Sequence, residues 1–164
     1  MAAALAQFEE VRAIALFGSV ARPLTREVPR FDPYRRLGIE LLHECKDVDL
    51  AVWLDDTSCL ALLGRARNVA VNELFAKTRV GVAHHQLDVF LIAPATGAYL
   101  GRLCDFAACP KAKPECRAPG CGATPPLQQH EGFELRSDAL AEDRIRRLFD
   151  RERGWLAKAE DLAS

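Results

Sequence analysis

The chain has 164 residues, of which 49% are apolar and 27% charged, and its formal net charge is -1. This length suits one domain with a real core, and the even charge argues against a protein that coats nucleic acid through a broad basic surface. No apolar run is long enough to span a bilayer and the Ala-rich start lacks a basic leader, so a cytoplasmic location with no membrane attachment is expected.

The first half of the chain predicts helices and strands around one long insert. Residues 3–11 favour a short helix, and the apolar run 12–17 is typical of a buried strand. The prolines at the start of 23–46 indicate an insert, with a helix over about 33–44 that begins at a first-turn proline. A second strand is predicted for 47–54.

The second half begins with a long helix and two more strands. Asp56 or Thr57 is expected to cap the long helix, which ends near Lys77. Apolar residues at helical spacing indicate its core face, which consists of Leu60, Leu63, Ala66, Ala70, Leu74 and Phe75. Strands are predicted for 79–83 and 87–92, with His84-His85 interpreted as turn or surface residues.

These elements indicate an α+β protein with an α/β-type mixed sheet flanked by helices. The predicted core covers residues 1–99 and includes the insert 23–46. A cysteine-rich segment over 100–130 follows, and 131–164 is assigned to a C-terminal helix. The arginines of that helix, which spans about 138–153, are interpreted as part of a solvated face.

Gly18 and Ser19 come directly after the first strand. Glycine allows a sharp backbone turn and lets a phosphate approach without meeting a side chain. Backbone N–H groups and the serine hydroxyl are then available to phosphate oxygens. The same dipeptide occurs in many ordinary turns, so by itself it predicts little.

Asp47 and Asp49 lie two positions apart at the start of the second strand. Residues two apart in a strand point to the same face, so both carboxylates project together while Val48 faces the core. Adjacent carboxylates raise each other's pKa unless a cation lies between them, and Mg²⁺ prefers such oxygen ligands. The alternative is a solvated strand start with two exposed aspartates.

Asp88 stands alone in an apolar strand, where a carboxylate without a partner is costly to bury. If this strand pairs with the second strand, Asp88 lies beside the face that carries Asp47 and Asp49. Three carboxylates are enough to hold two metal ions, one for an acceptor hydroxyl and one for a triphosphate. Asp88 is also a candidate general base for the acceptor's proton.

In this order, the three features resemble the nucleotidyltransferase superfamily, which includes DNA polymerase beta and the small kanamycin-nucleotidyltransferase-like and MNT-type proteins. The resemblance covers about residues 10–92 and lies in Phe17-Gly-Ser-Val-Ala-Arg22, Asp47-Val-Asp-Leu50 and Leu87-Asp-Val89. It implies a nucleotide-binding set of Gly18, Ser19 and Arg22. It also implies a catalytic set that binds two Mg²⁺ ions, formed by Asp47, Asp49 and Asp88.

Four of the six cysteines cluster in one short segment, at Cys104, Cys109, Cys116 and Cys121. Four thiolates suit tetrahedral Zn²⁺, so a closed structural zinc site is predicted, with His130 as a substitute for one ligand. Thiols in a loop, or two disulfides, are the alternatives. The segment has little periodicity and needs a metal or a neighbour to hold it.

The leading hypothesis from the sequence is a Mg²⁺-dependent nucleotidyltransferase. It moves a nucleoside monophosphate from an NTP, expected to be ATP, to a hydroxyl acceptor and releases pyrophosphate. A small molecule, a protein side chain and an RNA end remain open as acceptors, and a partner subunit or homodimer is left open too. The alternatives are a non-catalytic module that binds a nucleotide or a partner, and a zinc-organised nucleic-acid binder, which the even charge disfavours.

Overall fold

The computed structural model describes residues 1–21, 33, 36–38, 47–79, 81–83, 86–104, 124, 126–130, 132–136 and 138–157. Within these ranges the helices are α1 (Ala2–Leu5) and α2 (Leu60–Thr78). The strands are β1 (Val11–Phe17), β2 (Val48–Leu54), β3 (Leu87–Ile92), β4 (Tyr99–Leu103), β5 (Leu127–Gln128), β6 (Arg146–Asp150) and β7 (Gly154–Trp155). No helix among the described residues is both long and apolar enough to cross a bilayer.

The described strands form one mixed sheet in the order β5-β4-β3-β2-β1-β6-β7. β2 and β3 are parallel, and the long helix α2 connects them, whereas every other neighbouring pair is antiparallel. The predicted strands over 12–17, 47–54 and 87–92 are therefore confirmed as the three central strands. The fold is α+β with a mixed sheet, as the sequence predicts.

Both described helices pack on one face of the sheet. Leu5 of α1 and Leu60 and Leu63 of α2 are almost completely buried against apolar residues of the central strands, such as Ile14 and Leu91. Burying such side chains contributes roughly 1.5–3 kcal/mol each. This apolar cluster fixes the helices to the face opposite the aspartates.

The core face of α2 differs from the predicted one. Leu74 and Phe75 are 43% and 50% exposed. The buried positions of the helix are Leu60, Leu63, Gly64, Arg67 and Val71. These residues repeat at three- and four-residue spacing along one stripe, which Leu74 and Phe75 would continue. All residues of α2 after Val71 are exposed, so the last turns of the helix extend beyond the part that packs on the sheet.

The ends of α2 also differ from the sequence prediction. The N-cap is Cys59, which makes no side-chain cap hydrogen bond, and Asp56 instead accepts a hydrogen bond from the Ser58 N–H at 2.7 Å. The helix ends where Arg79 takes a left-handed backbone conformation. The described residues of 79–83 do not form the predicted strand.

The second face of the sheet is covered by chain without regular structure. Phe133, Leu135, Ala139, Leu140 and Ile145 pack against a cluster that β1, β2 and β3 contribute, built from Phe17, Ala51, Phe90 and Ile92. Helices α1 and α2 therefore lie on one face of the sheet, and this irregular chain lies on the other. This irregular cover brings new side chains to the face that carries Asp49 and Asp88.

The predicted C-terminal helix is wrong, because 146–150 form β6 and pair with β1. The register shifts between Ile14 and Ala15, so Leu148 is an extra residue in β6, and both Leu148 and Phe149 are buried in the main core. Two successive buried apolar residues do not show the alternation of a strand. The bulge therefore hides the strand pattern in the sequence.

The segment 100–130 is partly integrated into the sheet. β4 and β5 pair with each other at one edge of the sheet, and the Cys104 N–H donates to the Pro126 carbonyl at 2.7 Å. Cys104 is buried directly after β4, so this predicted zinc ligand lies in the folded core and not in a separate appendage. The other three predicted ligands lie outside the described residues, as do Arg22, His84, His85 and most of the insert 23–46.

Candidate functional site

Two of the predicted site residues, Asp49 and Asp88, lie in a row with Phe17 across the central strands. Phe17, the residue before Gly18, is opposite Asp49 in the β1–β2 pair, and Asp49 is beside Asp88 in the β2–β3 pair. Residues paired in this way share one face of a sheet. Asp47, directly before β2, is exposed at the same end. The predicted neighbourhood of Asp49 and Asp88 is confirmed.

Gly18 makes a contact with Asp49 that other residues do not permit. Its φ is +71°, a left-handed conformation, and a Cβ atom placed on it would lie 2.5 Å from Oδ2 of Asp49. A real Cβ needs more space than this, so a side chain here would displace the carboxylate of Asp49, and the left-handed conformation favours glycine as well. The first turn after β1 therefore lies directly on the carboxylate of Asp49, with Ser19 exposed beside it.

The carboxylate of Asp49 is in an unfavourable electrostatic position. Its pKa is raised from the ordinary value of 3.8 to about 6, chiefly by burial and then by the charges of Asp88 and Asp47, while Arg102 acts in the opposite direction. One guanidinium among three carboxylates leaves negative charge uncompensated. Such an arrangement is stabilised by a bound cation or by a proton.

Arg102 is a residue of the site that sequence reasoning missed. Its Nη1 donates to Oδ2 of Asp88 at 2.7 Å, and the two side chains are only 19% and 30% exposed. The guanidinium lies 4.8 Å from the ring centroid of Phe90 and 5.1 Å from that of Phe133. Two aromatic faces and a carboxylate therefore hold one fixed positive charge beside the aspartates.

No signal in the sequence pointed to Arg102, because β4 itself was not predicted. The pairing of Phe90 with Arg102 across β3 and β4 brings the guanidinium onto the aspartate face. That pairing joins residues from two strands, and no local pattern records it. The nearest sequence signal was Asp88, since a carboxylate in an apolar strand requires a partner.

The candidate metal ligands at Asp49 and its neighbours Asp47 and Asp88 are all carboxylate oxygens, and Mg²⁺ prefers oxygen ligands. The uncompensated charge at Asp47 and Asp49 fits one such cation, whose remaining ligands Mg²⁺ usually takes from water and substrate phosphates. Asp88 is engaged by Arg102. Among the described residues no three His, Cys, Asp or Glu side chains form a set placed to hold a metal ion. Two ions bound by all three aspartates stay a prediction.

A cleft of about 320 Å³ opens beside Gly18 and Ser19. Its near wall is the end of β1 with the following turn, and its far wall belongs to the irregular cover of the sheet. The far wall consists of Arg136, Asp138, Ala139 and Arg144. Asp138 accepts hydrogen bonds from Arg136 at 3.1 and 3.0 Å and from Arg144 at 2.5 Å.

The role of Arg144 in this wall differs from the one predicted for it. As a residue of a charged helix it was assigned to a solvated face, but it lies in a turn that lines the same cleft as Gly18 and Ser19. Arg136 and Asp138 were not singled out at all. The three residues meet only because the chain folds back over the sheet, so their spacing alone did not reveal them.

Comparison of the chain with protein families, with curated proteins and with solved structures finds no match. The likeness to nucleotidyltransferases therefore depends on the motif residues themselves.

Proposed function

We propose that the protein is a nucleotidyltransferase that moves a nucleoside monophosphate from an NTP to a hydroxyl acceptor. The contact of Gly18 with the carboxylate of Asp49 carries this proposal. This contact places a turn suited to phosphate binding beside an aspartate that needs a cation. Asp88 lies next to the same aspartate, as its partner in the β2–β3 pair.

Each residue has a separate task in this proposal. The turn after β1, with the Ser19 hydroxyl, binds phosphate oxygens of the NTP. Asp47 and Asp49 hold Mg²⁺, which when bound supplies positive charge for the triphosphate and for the leaving pyrophosphate. Asp88, oriented by Arg102, accepts the proton of the acceptor hydroxyl.

The bond changes in this reaction balance without any further reactant. The acceptor oxygen forms a bond to the α-phosphorus, the bond between the α-phosphorus and the bridging oxygen breaks, and pyrophosphate leaves with the bonding electron pair. The acceptor's proton moves to Asp88 and then to solvent. The acceptor is a hydroxyl compound, and ATP is the first nucleotide to test.

Calorimetry followed by a turnover assay tests this function. We expect the protein to bind a non-hydrolysable ATP analogue in the presence of Mg²⁺, and to bind it much more weakly in EDTA. With ATP and a panel of small-molecule, peptide and RNA acceptors, we expect Mg²⁺-dependent release of pyrophosphate. A protein that neither binds the analogue nor releases pyrophosphate contradicts the proposal.

The ion pair between Asp88 and Arg102 favours a second candidate, a non-catalytic module that binds a nucleotide or a partner. In that case Arg102 replaces a metal ion as the permanent counter-charge of the aspartates. The two candidates differ in how Mg²⁺ acts on the free protein. An enzyme gains stability from Mg²⁺ because Asp47 and Asp49 bind it, whereas a module whose cation site is filled by Arg102 gains none.

Replacing Arg102 with leucine separates these two candidates. We expect wild-type protein to melt at a higher temperature with Mg²⁺, and Arg102→Leu to show an even larger Mg²⁺ effect, because Asp88 then lacks its counter-charge. Thermal unfolding with and without 10 mM Mg²⁺ measures this, taken as roughly a saturating concentration. Arg65→Leu, an exposed arginine of α2, is the matched control. A Mg²⁺ effect in Arg102→Leu but not in wild type supports the module.

We also propose that Cys104, Cys109, Cys116 and Cys121 bind structural zinc. The burial of Cys104 beside β4 supports a role in which the metal ties the segment to the edge of the sheet. Metal analysis of the purified protein tests this, and a zinc content far below one per chain contradicts it.

A further inference from the structure

The far wall of the cleft beside Gly18 is held in place by backbone hydrogen bonds and by packing against the sheet. Ala139 packs with the apolar residues that cover the sheet, and its N–H donates to the Arg136 carbonyl at 2.9 Å. The Arg144 N–H donates to the Ala141 carbonyl at 2.8 Å, which closes a second turn. The backbone that carries the two arginines is therefore fixed against the sheet at both turns.

The two guanidinium groups are preorganised by one shared carboxylate. Asp138 accepts from Nε and Nη2 of Arg136 and from Nη1 of Arg144. The hydrogen bond from Arg136 is the largest cause of the lowered pKa of Asp138, so this carboxylate is ionised at neutral pH. Two positive charges and one negative charge leave the wall with a net charge of +1.

Solvent reaches all three side chains of this charged cluster. Arg136 is 79% exposed, Arg144 40% and Asp138 38%. Each guanidinium has five N–H donors, and the hydrogen bonds to Asp138 use only part of them. The remaining N–H donors of each planar guanidinium group suit phosphate oxygens, which such groups bind through paired hydrogen bonds.

We propose that Arg136 and Arg144 bind the polyphosphate chain of the nucleotide from the side opposite Gly18 and Ser19. The near wall offers the backbone of the turn, and the far wall offers two cations. A volume of about 320 Å³ is at the small end of ligand pockets, which suits a phosphate chain better than a whole nucleotide. The identification of this anion as the triphosphate of an NTP rests on the proposed function.

Binding of inorganic triphosphate tests the proposal without any catalytic step. Isothermal titration calorimetry is performed on wild type, Arg144→Ala and the double variant Arg136→Ala/Arg144→Ala. We expect the double variant to bind about 10- to 100-fold more weakly, because charged hydrogen bonds of this kind contribute about 1.5–3 kcal/mol. Arg65→Ala, on the helix side of the sheet, is expected to bind as wild type does.

A variant at Asp138 separates direct binding from a structural role. If the arginines bind phosphate themselves, Asp138→Asn removes a competing negative charge but keeps an oxygen that accepts from an arginine, so triphosphate binds more tightly. If the arginines only hold the turn in place, loss of the ion pairs in Asp138→Asn weakens triphosphate binding, which overturns the proposal. Arg136→Ala alone, at a highly exposed position, keeps the test decisive if the double variant unfolds.

Turnover measured on the same proteins distinguishes this proposal from the proposed function. Triphosphate binding that depends on the arginines, without pyrophosphate release for any acceptor, contradicts the transferase and supports the arginine wall. Equal triphosphate affinity in wild type and the double variant overturns the arginine wall, whatever the turnover. Absence of triphosphate binding to wild-type protein overturns it as well.

Discussion

Replacing Asp49 with asparagine is expected to abolish nucleotidyl transfer while making the folded protein more stable. Loss of a carboxylate that holds a catalytic cation should lower turnover by at least about 10²-fold. The gain in stability follows because the charged form of Asp49 is disfavoured by its burial and by the neighbouring aspartates. We expect a gain of about 1–2 kcal/mol at pH 7 in the absence of Mg²⁺, after allowance for solvent screening.

The difference in stability between Asp49→Asn and wild type is expected to depend on pH. The pKa of Asp49 is about 6 in the folded protein and 3.8 ordinarily, so the folded state holds the proton more tightly between these values. The contribution of Asp49 to stability therefore falls as pH rises from about 4 to 6, and its full penalty is present above that range. Asp49→Asn and wild type should have equal stability near pH 4 and diverge toward pH 7.

Asp56 provides a matched control at the other end of β2. Its carboxylate is exposed, and a hydrogen bond from Ser58 lowers its pKa, so its charged form stabilises the fold. Asp56→Asn should therefore leave turnover unchanged and should not raise stability at pH 7. Urea unfolding from pH 4 to 7, with a pyrophosphate assay, measures both variants. Full activity in Asp49→Asn would remove this residue from the catalytic set.

Replacing Gly18 with alanine is expected to damage both stability and turnover. A left-handed φ costs an alanine about 1 kcal/mol or more, and displacement of the Asp49 side chain adds to this cost. The added Cβ would meet Oδ2 of Asp49, so the carboxylate must move away from its position. Turnover should fall by about 10²-fold, because small displacements at a reacting centre have effects of that size.

Gly97 offers a control that separates the two costs of this substitution. Its φ is +69°, almost the same as that of Gly18, but nothing lies within 4 Å of a Cβ placed there. Gly97→Ala should lose only the stability that the left-handed backbone conformation costs an alanine, and it should keep full turnover. Equal losses in both alanine variants would show that the contact with Asp49 is unimportant.

A double-mutant cycle measures the contact between Gly18 and Asp49 directly. In an Asp49→Ala background the oxygen at 2.5 Å is absent, and the next atom that remains, Cβ of Asp49, lies at an ordinary 3.7 Å. Gly18→Ala should then destabilise this background only as much as Gly97→Ala destabilises wild type. The difference between the two backgrounds is the coupling energy, which unfolding in urea determines.

The sequence by itself determined the central strands and one end of the candidate site. Apolar runs of six or seven residues that stop at Gly18 or begin at an aspartate are local signals, and β1, β2 and β3 match them. The two-residue period of a strand put Asp47 and Asp49 on one face without knowledge of any partner. The isolated charge of Asp88 indicated that a partner exists, although not which one.

Helix α2 shows where local patterns stop being sufficient. Its existence was clear from length and periodicity, yet the side facing the sheet was misassigned for Leu74 and Phe75. Leu74 and Phe75 continue the buried stripe by spacing, but all residues of α2 after Val71 are exposed, so the extent of the sheet decides where burial along the helix ends. The strand β6 was missed for a related reason, because its bulge at Leu148 breaks the alternation.

Only the tertiary structure decided which charges surround the aspartates. Asp88 pairs with Arg102 because β4 lies beside β3, and Arg136, Asp138 and Arg144 reach the cleft because the chain after β5 returns across the sheet. The order of the strands and the path of the chain after β5 bring together residues that are far apart in sequence. Neither can be predicted from the local periodicity of apolar residues. The sequence therefore specified the carboxylates, whereas the fold supplied Arg102, which pairs with Asp88, and the two arginines that line the cleft.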